Sequence, residues 1–145
     1  DEGMALLLEC VARENIWAAE RGANIYPGVE EVFRQLIENG WNIGIVSNCQ
    51  QGYIEAFLSY YDFGKYVSDK LCFGDNGLQK GENIRRLLDR NQAAYGCYVG
   101  DTDGDRVASE EAGVPFYFAA YGFGHAESGI TVPALKDLPG ILGKA

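Results

Sequence analysis

The fold and the chemistry of this chain are both indicated by residues 98–105, which read YVGDTDGD. The preceding apolar run, Tyr95–Val99, is short, aromatic and β-branched at its end, which is typical of a buried strand that Gly100 would end. Asp101 then lies at the carboxyl end of that strand, where open α/β sheets place their ligand crevices. The pattern therefore predicts an acidic loop that faces a ligand.

The acidic loop has the composition of a magnesium site, because Asp101, Asp103 and Asp105 alternate along it. Mg²⁺ takes one or two protein carboxylates and fills its remaining positions with water and substrate phosphate, so one or two of these aspartates suffice. The structural alternative is that the aspartates cap a helix starting near Arg106. A calcium loop fits worse, because Arg106 and Ala112 stand where that loop requires glycine and glutamate.

The composition describes one folded domain of 145 residues, 47% of them hydrophobic, with a formal charge of −9. This charge and the lack of a Lys/Arg cluster disfavour nucleic-acid binding, and no apolar run approaches the roughly 18 residues of a membrane span. The single histidine, His125, has no ligand-spaced partners for zinc. The cysteines are scattered without a CxxC pair, at Cys10, Cys49, Cys72 and Cys97. This scatter favours buried thiols in a reducing compartment over a disulfide framework, and with the lack of a visible secretory signal it predicts a cytoplasmic protein.

Helical and strand patterns alternate along the chain. Val29–Asn39 is the clearest helix, with apolar residues spaced by three and four and Gly40 closing it. The other predicted elements are a helix Met4–Ala19, a strand Trp41–Val46, a helix through Ile54, Phe57 and Leu58, a weaker strand Val67–Phe73, helices Gly81–Arg90 and Arg106–Ala112, and a strand Pro115–Ala119. This alternation predicts a three-layer α/β fold with a parallel sheet. From Tyr121 onward we expect a glycine-rich loop and an edge element, Val132–Leu142.

Two further positions with suitable chemistry lie at the ends of predicted elements. Ser47 and Asn48 follow the strand Trp41–Val46, so the hydroxyl and neighbouring backbone N–H groups could bind an oxyanion. Lys80 stands just before the helix Gly81–Arg90, where its ammonium and the helix dipole both favour a phosphate. The structural alternatives are that Ser47 caps a helix and that Lys80 is a solvated surface charge.

The order of these motifs resembles the haloacid-dehalogenase (HAD) superfamily of phosphohydrolases, in its phosphoglycolate-phosphatase-like branch. The matching segments read YPGVEEVFRQLIENGWNIGIVSN, QKGENIRRLL and YVGDTDGDRVASEEAGVPFYFAAYGFG. They cover most of the chain from Tyr26 to Gly124. The GDTxxD motif with the downstream Ala-Gly pair is fairly specific, and the serine and lysine motifs gain weight from their order.

The resemblance implies a role for each matching residue. Ser47, assisted by the backbone at Asn48, would hydrogen-bond the phosphoryl group that is transferred. Lys80 would neutralise charge on the nucleophile and the phosphate. Asp101 would be a Mg²⁺ ligand, and Asp105 its companion, supporting the metal or the lysine. Asp103 matches no fixed family position and is expected to lie in the loop or around the site.

The chain departs from the family at its first motif. There the nucleophile and the general acid/base are the two aspartates of a DxDGT motif, which ends the first core strand, and Asp1-Glu2-Gly3 only faintly echoes it. In the family this strand lies between the strands that end here at Ser47 and Asp101. We therefore predict a Rossmann-like HAD core, residues 25–145, that lacks its first core strand. Residues 1–24 would be the remnant of a helical cap. The 145-residue chain would then be the carboxyl-terminal two-thirds of a longer phosphatase.

The resemblance implies a Mg²⁺-dependent phosphomonoesterase that acts on a small phosphorylated metabolite through an aspartyl-phosphate. The nucleophile would lie outside this sequence, so the chain as it stands should not turn over a phosphate ester. Two alternatives stay open. One is a phosphomutase that uses the same residues, and the other is a catalytically inactive HAD-like module that binds phosphate or regulates a partner. Neither nucleic acid nor a membrane is an expected partner, and the oligomeric state is not predicted.

Overall fold

The computed structural model describes residues 2–145. Asp1, which belongs to the predicted cap remnant and to the faint echo of the first motif, lies outside the described residues. The helices are α1 (Glu2–Arg21), α2 (Val29–Glu38), α3 (Tyr53–Tyr61), α4 (Phe73–Asn76), α5 (Lys80–Arg90), α6 (Asp103–Ala112) and α7 (Leu138–Leu142). The strands are β1 (Ile43–Ser47), β2 (Val67–Cys72), β3 (Tyr98–Gly100), β4 (Phe116–Ala119) and β5 (Ile130–Val132), and a 3₁₀ turn spans Leu135–Asp137.

The strands form two parallel sheets, one of β1 and β2 and the other of β3, β4 and β5 in that order. Two contacts join β1 to β3 from opposite ends. The rings of Trp41 and Tyr95, which precede the two strands, lie 5.7 Å apart, and the Tyr98 hydroxyl is 2.9 Å from the Val46 carbonyl oxygen. Because these contacts come in the same order along both strands, β1 and β3 run in the same direction.

A gap separates the two sheets. In the described part of the chain β1 pairs only with β2, and β3 pairs with β4 alone, so one edge of each faces the other. Between these edges lies a cleft of about 580 Å³, whose walls include Ile43–Val46 and Cys97–Val99. The gap lies where the family's first core strand was expected.

Helices cover both faces of the sheets, which confirms the predicted three-layer α/β architecture. Successive side chains of a strand point to opposite faces, and β1 shows this directly. Ile43 packs against the buried cluster that includes Val32 and Leu36 of α2. At the next position, a Cβ on Gly44 would lie 2.9 Å from Leu87 of α5.

The structure differs from the sequence-based boundaries at β3. The strand begins at Tyr98 rather than Tyr95, and it includes Gly100. Tyr95 is exposed, and its ring packs edge-to-face on Trp41 instead of entering the sheet. The apolar run alone therefore predicted too long a strand, because the Tyr95 ring packs outside the sheet.

The carboxyl-terminal region contains a strand that the sequence patterns did not predict. Residues after Tyr121 form a loop as expected, but β5 begins at Ile130 and pairs in parallel with β4. The predicted edge element, Val132–Leu142, is mostly the 3₁₀ turn and α7, and only its first residue belongs to β5. Val132 is fully buried, and Leu138 of α7 packs in the same cluster. With only three residues, β5 is too short for the alternating pattern of a strand to be recognised in the sequence.

The amino-terminal helix lies against α3. Ala18 is buried, and the Asn15 side chain donates to the Gln51 carbonyl oxygen at 2.9 Å. Several apolar side chains of α1 stay exposed, including Leu6, Leu8 and Trp17. None of the helices in residues 2–145 combines the length and apolarity that a membrane-spanning segment requires.

Candidate functional site

Asp105 is the most highly connected side chain at the carboxyl ends of the strands. It is 5% exposed, and its Oδ2 accepts hydrogen bonds from the backbone N–H groups of Asp101 and Thr102, each at 3.1 Å. Oδ2 also accepts from the Thr102 hydroxyl at 2.9 Å. The other oxygen, Oδ1, lies 2.5 Å from the Lys80 ammonium. This carboxylate therefore fixes the acidic loop and the lysine at the same time.

A capping box explains why the chain folds this way locally. Thr102 is the N-cap of α6, and its hydroxyl oxygen accepts from the Asp105 N–H at 3.1 Å, while the Asp105 carboxylate accepts from the Thr102 N–H. The structural alternative was wrong in two details, since the helix begins at Asp103 rather than near Arg106 and its cap is a threonine. A Thr-x-x-Asp spacing before a helix was the signal that could have predicted this.

The glycine before Asp101 is required by the same packing. A Cβ placed on Gly100 would lie 2.5 Å from the Asp105 Cβ and 2.7 Å from its Oδ2. Real Cβ atoms do not approach other atoms so closely, so any larger residue must displace the carboxylate that holds Lys80.

We expect Gly100→Ala to lower the free energy of unfolding by about 1–3 kcal/mol, the usual cost of overpacking a filled site. Chemical denaturation of the chain measures this change. Gly104→Ala is a matched control in the same loop, because its nearest neighbour, the Thr102 hydroxyl, would be 3.6 Å away. Equal stability losses in the two variants would contradict this account of Gly100.

Lys80 is shielded rather than solvated. It is the first residue of α5, not the residue before it, and its side chain is only 19% exposed. The ammonium lies 5.9 Å from the centre of the Tyr98 ring in addition to contacting Asp105. The interpretation of Lys80 as a solvated surface charge is therefore wrong. Because the ion pair is shielded from water, its two charges interact more strongly than those of an exposed pair.

The ionisation of Asp105 follows from these contacts. Burial alone would raise its pKa, but the hydrogen bonds from Lys80 and Thr102, with the charge of Lys80, outweigh burial and the pKa is lowered. An aspartate with a lowered folded-state pKa stabilises the fold fully above its unfolded pKa. That contribution is lost as the pH falls through the lower, folded-state value.

We therefore expect the free energy of unfolding to fall below about pH 3.8, the ordinary aspartate value, and Asp105→Asn to make that fall shallower. Denaturation curves between neutral and strongly acidic pH measure the slope. Asp89→Asn, the same substitution at an exposed position of α5, serves as the matched control. An unaltered slope in Asp105→Asn would contradict the assignment.

Asp101 joins the end of β3 to the glycine-rich loop. Its Oδ2 accepts from the backbone N–H groups of Phe123 at 2.8 Å and Gly124 at 3.1 Å. Gly124 permits this approach, because a Cβ there would lie 2.5 Å from the Asp101 carbonyl oxygen. Among the described residues these hydrogen bonds use only Oδ2, so Oδ1 can serve as a ligand for a cation.

The donor set suits magnesium better than a cation that needs an all-protein cage. Among the side chains that the structure describes, no group of three or more His, Cys, Asp or Glu could hold a metal ion. Mg²⁺ does not need one, because water and phosphate oxygens complete its octahedron. Asp101 has an oxygen to offer, whereas both oxygens of Asp105 already accept hydrogen bonds. The geometry thus suits Asp101 as a direct ligand and Asp105 as the support of Lys80.

Ser47 is the last residue of β1 and lies beside the gap. Its hydroxyl oxygen accepts from the Cys49 N–H at 3.2 Å, so the hydroxyl proton can still be donated to an oxyanion. The alternative that Ser47 caps a helix is wrong, because the residue that precedes α3 at its cap is Gly52. Asn48 follows in the bend after the strand.

Tyr98 connects the two halves of the predicted site, and the sequence patterns did not single it out. Its hydroxyl donates to the Val46 carbonyl next to Ser47, and its ring lies under the Lys80 ammonium. Burial, with the charges of Asp105 and Asp101, raises the pKa of this tyrosine, which keeps the hydroxyl protonated. The signal was a tyrosine in an otherwise apolar strand, since a buried phenol needs a hydrogen-bond partner.

Asp103 lies at the edge of this arrangement. Its carboxylate pairs with Arg106 at 2.5 Å and accepts from the Glu127 N–H at 3.3 Å. The hydrogen bond from Arg106, followed by that from Glu127, lowers its pKa. The structure thus brings Ser47, Lys80, Asp101 and Asp105 to the carboxyl ends of β1 and β3, and leaves Asp103 in the surrounding loop.

Comparison with known proteins identifies the class. Residues 7–119 match the family model described as haloacid dehalogenase-like hydrolase. This match covers more than half of the chain, which therefore belongs to that family. The chain is 28% identical over 110 residues to the phosphoglycolate phosphatase of Vibrio parahaemolyticus, covering 72% of this chain and 48% of the relative. It is 31% identical over 107 residues to that of Cereibacter sphaeroides, covering 71% and 48%.

Solved structures share the fold of this chain. A HAD phosphatase from Thermococcus onnurineus superposes with a TM-score of 0.71 at 18% identity, covering 83% of this chain and 60% of that one. A protein from Clostridium acetobutylicum titled a predicted phosphatase superposes with a TM-score of 0.76 at 16% identity, covering 88% and 65%. The chain spans about half the length of the curated relatives that it matches.

Proposed function

We propose that the protein works as part of a Mg²⁺-dependent phosphomonoesterase that hydrolyses small phosphorylated metabolites through an aspartyl-phosphate. The observation that carries this proposal is the shielded Lys80–Asp105 pair, held at 2.5 Å beside Asp101 at the carboxyl ends of the strands. Stability alone does not explain a shielded ion pair at this position, because apolar residues of similar volume stabilise a core as well or better.

Each residue has a proposed task that its contacts support. The Ser47 hydroxyl and the backbone N–H of Asn48 donate to oxygens of the phosphoryl group. Lys80, oriented by Asp105, offsets the negative charge of the phosphate and of the attacking carboxylate. Asp101 holds the Mg²⁺, which when bound would neutralise charge on the phosphoryl oxygens. Preorganised groups of this kind supply most of the catalysis in phosphoryl transfer, together with positioning.

The nucleophile is proposed to be an aspartate that arrives on a strand outside this sequence. Its carboxylate oxygen would attack phosphorus in line with the departing alkoxide, and water would then hydrolyse the aspartyl-phosphate. Residues 25–145 are proposed to be the HAD core and residues 1–24 the remnant of a cap. The packing of α1 on α3, away from the sheets, supports this division.

The substrate class rests on the relatives and on the charge of the site. Relatives named phosphoglycolate phosphatase make phosphoglycolate the first substrate to test. The formal charge of −9 means that an anionic substrate depends on Lys80 and the metal for local positive charge. The free cysteines support the cytoplasm, where glutathione keeps thiols reduced, as the compartment.

The test is phosphate release by a form of the protein that includes the nucleophile strand. We expect inorganic phosphate from phosphoglycolate with Mg²⁺ and almost none after chelation by EDTA. An isomerised phosphate ester without free phosphate would identify a phosphomutase instead. Binding of phosphate without any turnover across a panel of phosphomonoesters would identify an inactive module.

A further inference from the structure

Two asparagine side chains close a ring of three hydrogen bonds between α4 and α5. The Leu78 N–H donates to Asn76 Oδ1 at 2.9 Å, and Asn76 Nδ2 donates to Asn83 Oδ1 at 2.8 Å. Asn83 Nδ2 then donates to the Leu78 carbonyl oxygen at 3.2 Å. The ring therefore satisfies both backbone polar groups of Leu78 in the connection that leads into α5.

Asn83 is the buried member of this ring. It is 0% exposed, and burying an amide is costly unless its groups find partners. Its oxygen accepts from Asn76 and its NH₂ group donates to Leu78, so each end of the amide is used. An apolar side chain would fill the same space without that cost. The amide is thus explained by the connection that it holds in place.

The ring holds the chain on both sides of Lys80. Leu78 precedes the lysine by two residues and Asn83 follows it by three. The Asn83 N–H also donates to the Gln79 carbonyl oxygen at 3.0 Å, which starts the backbone hydrogen bonds of α5. The direction in which the Lys80 side chain leaves the helix therefore depends on where the ring starts the first turn.

Gly81 fixes the distance between this turn and α6, the helix that carries Asp105. A Cβ on Gly81 would lie 2.5 Å from Glu111 Oε2 and 3.1 Å from the Ala108 carbonyl oxygen. The first turn of α5 thus lies against α6, with little room for adjustment at its backbone. Across this contact the Lys80 ammonium meets Asp105 Oδ1 at 2.5 Å.

We propose that Asn83 and Asn76 are positioning residues for Lys80, which set the start of α5 so that the ammonium is directed at Asp105. Displacement of a charged group by about 1 Å can lower turnover about a hundredfold. Lysine has a flexible four-carbon stem that absorbs part of such a shift, so the expected loss here is smaller. The orientation of Lys80 rests on the contacts above, whereas its effect on turnover rests on the proposed function.

The rate at which acetic anhydride acetylates Lys80 tests this orientation, because the ammonium is held by Asp105 in a side chain that is 19% exposed. Two variants open the ring: Asn76→Ala at an exposed position, and Asn83→Leu, which fills the buried site with an apolar side chain of similar size. We expect both to raise the rate at Lys80 about three- to tenfold, the equivalent of one net hydrogen bond, as measured by peptide mass spectrometry. The rate at the exposed Lys136 should stay constant.

Asn91→Ala is the matched control at the opposite end of α5. The Asn91 side chain donates to the Leu87 carbonyl oxygen at 2.7 Å, so this variant also removes a side-chain bond to the backbone of the same helix. It should leave the rate at Lys80 unchanged. The proposal is wrong if either ring variant leaves that rate unchanged, because the ring would then only stabilise the connection. It is equally wrong if Asn91→Ala raises the rate as much, because the helix would then loosen as a whole.

Turnover is measured in a form of the protein that includes the nucleophile strand. We expect both ring variants to lower kcat for phosphoglycolate about tenfold with little change in KM, because Ser47 and the metal would still bind the phosphate. Faster acetylation of Lys80 without a loss of kcat would confirm the orientation and remove it from catalysis. If the wild type releases no phosphate, the proposed function fails, and the acetylation rates alone decide whether the ring positions Lys80.

Discussion

Asp101→Asn should lower Mg²⁺-dependent phosphatase activity by at least about a hundredfold while leaving the fold intact. Asparagine keeps a carbonyl oxygen that can accept from the Phe123 and Gly124 N–H groups, so the glycine-rich loop keeps its anchor. It loses the negative charge that a hard cation requires. Phosphate release at a series of Mg²⁺ concentrations, in a form of the protein that carries its nucleophile, measures the effect.

Two further variants make this result specific. Asp101→Ala removes both the charge and the anchor, so it should also increase hydrogen exchange at residues 122–124. Asp103→Asn alters the neighbouring acid, which pairs with Arg106 at the protein surface, and should retain most of the activity. Activity of Asp101→Asn close to the wild-type level would remove Asp101 from the site.

Lys80→Met should lower activity by about a hundred- to a thousandfold, the usual effect of removing one charge-stabilising group from a preorganised site. It should also destabilise the chain, because Asp105 keeps its charge at a position with 7% side-chain exposure and loses its cation. The cost should stay below about 3 kcal/mol, since Thr102 and backbone N–H groups still bind the carboxylate. Turnover and denaturation are measured on the same preparations.

The double variant Lys80→Met/Asp105→Asn separates catalysis from stability. Removing the uncompensated charge should recover part of the free energy of unfolding without recovering activity. Lys70→Met is the control, because Lys70 forms a more solvent-accessible pair with Glu55 at 2.7 Å. Its loss should change stability by less than about 1 kcal/mol and leave turnover unchanged. If unfolding of Lys80→Met fully accounts for its loss of activity, Lys80 contributes to stability and not to catalysis.

The sequence was sufficient to predict which element ends would lie at the same edge of the sheets. Parallel strands bring their carboxyl ends to one edge of a sheet, so recognising two strands and one helix start placed Ser47, Asp101 and Lys80 on the same side. The apolar periodicities that define α2 and α5 are local and strong, and these helices differ from the prediction by one residue at an end. Site placement thus required no knowledge of side-chain contacts.

The contacts that hold the site together could not be predicted in the same way. The bond from Tyr98 to Val46 joins residues 52 positions apart, and the bond from Phe123 to Asp101 joins residues 22 apart. Such pairs depend on how two sheets and a loop are arranged in space. Likewise, β5 forms because β4 offers an edge, and no property of Ile130–Val132 alone demands a strand.

The double role of Asp101 has a thermodynamic consequence. One carboxylate holds the backbone of Phe123 and Gly124 through Oδ2, and in the proposed function it also binds Mg²⁺ through Oδ1, so the two interactions would share a single charge. Linkage requires that if the proposed Mg²⁺ changes the strength of the hydrogen bonds from Phe123 and Gly124 to Asp101 by some factor, formation of those bonds changes the affinity for Mg²⁺ by the same factor. Phe123 is 97% exposed, so a ligand that touches its ring would alter the affinity of Asp101 for the proposed Mg²⁺ without contacting the ion. Magnesium titrations followed at the Phe123 and Gly124 amides would report this reciprocity directly.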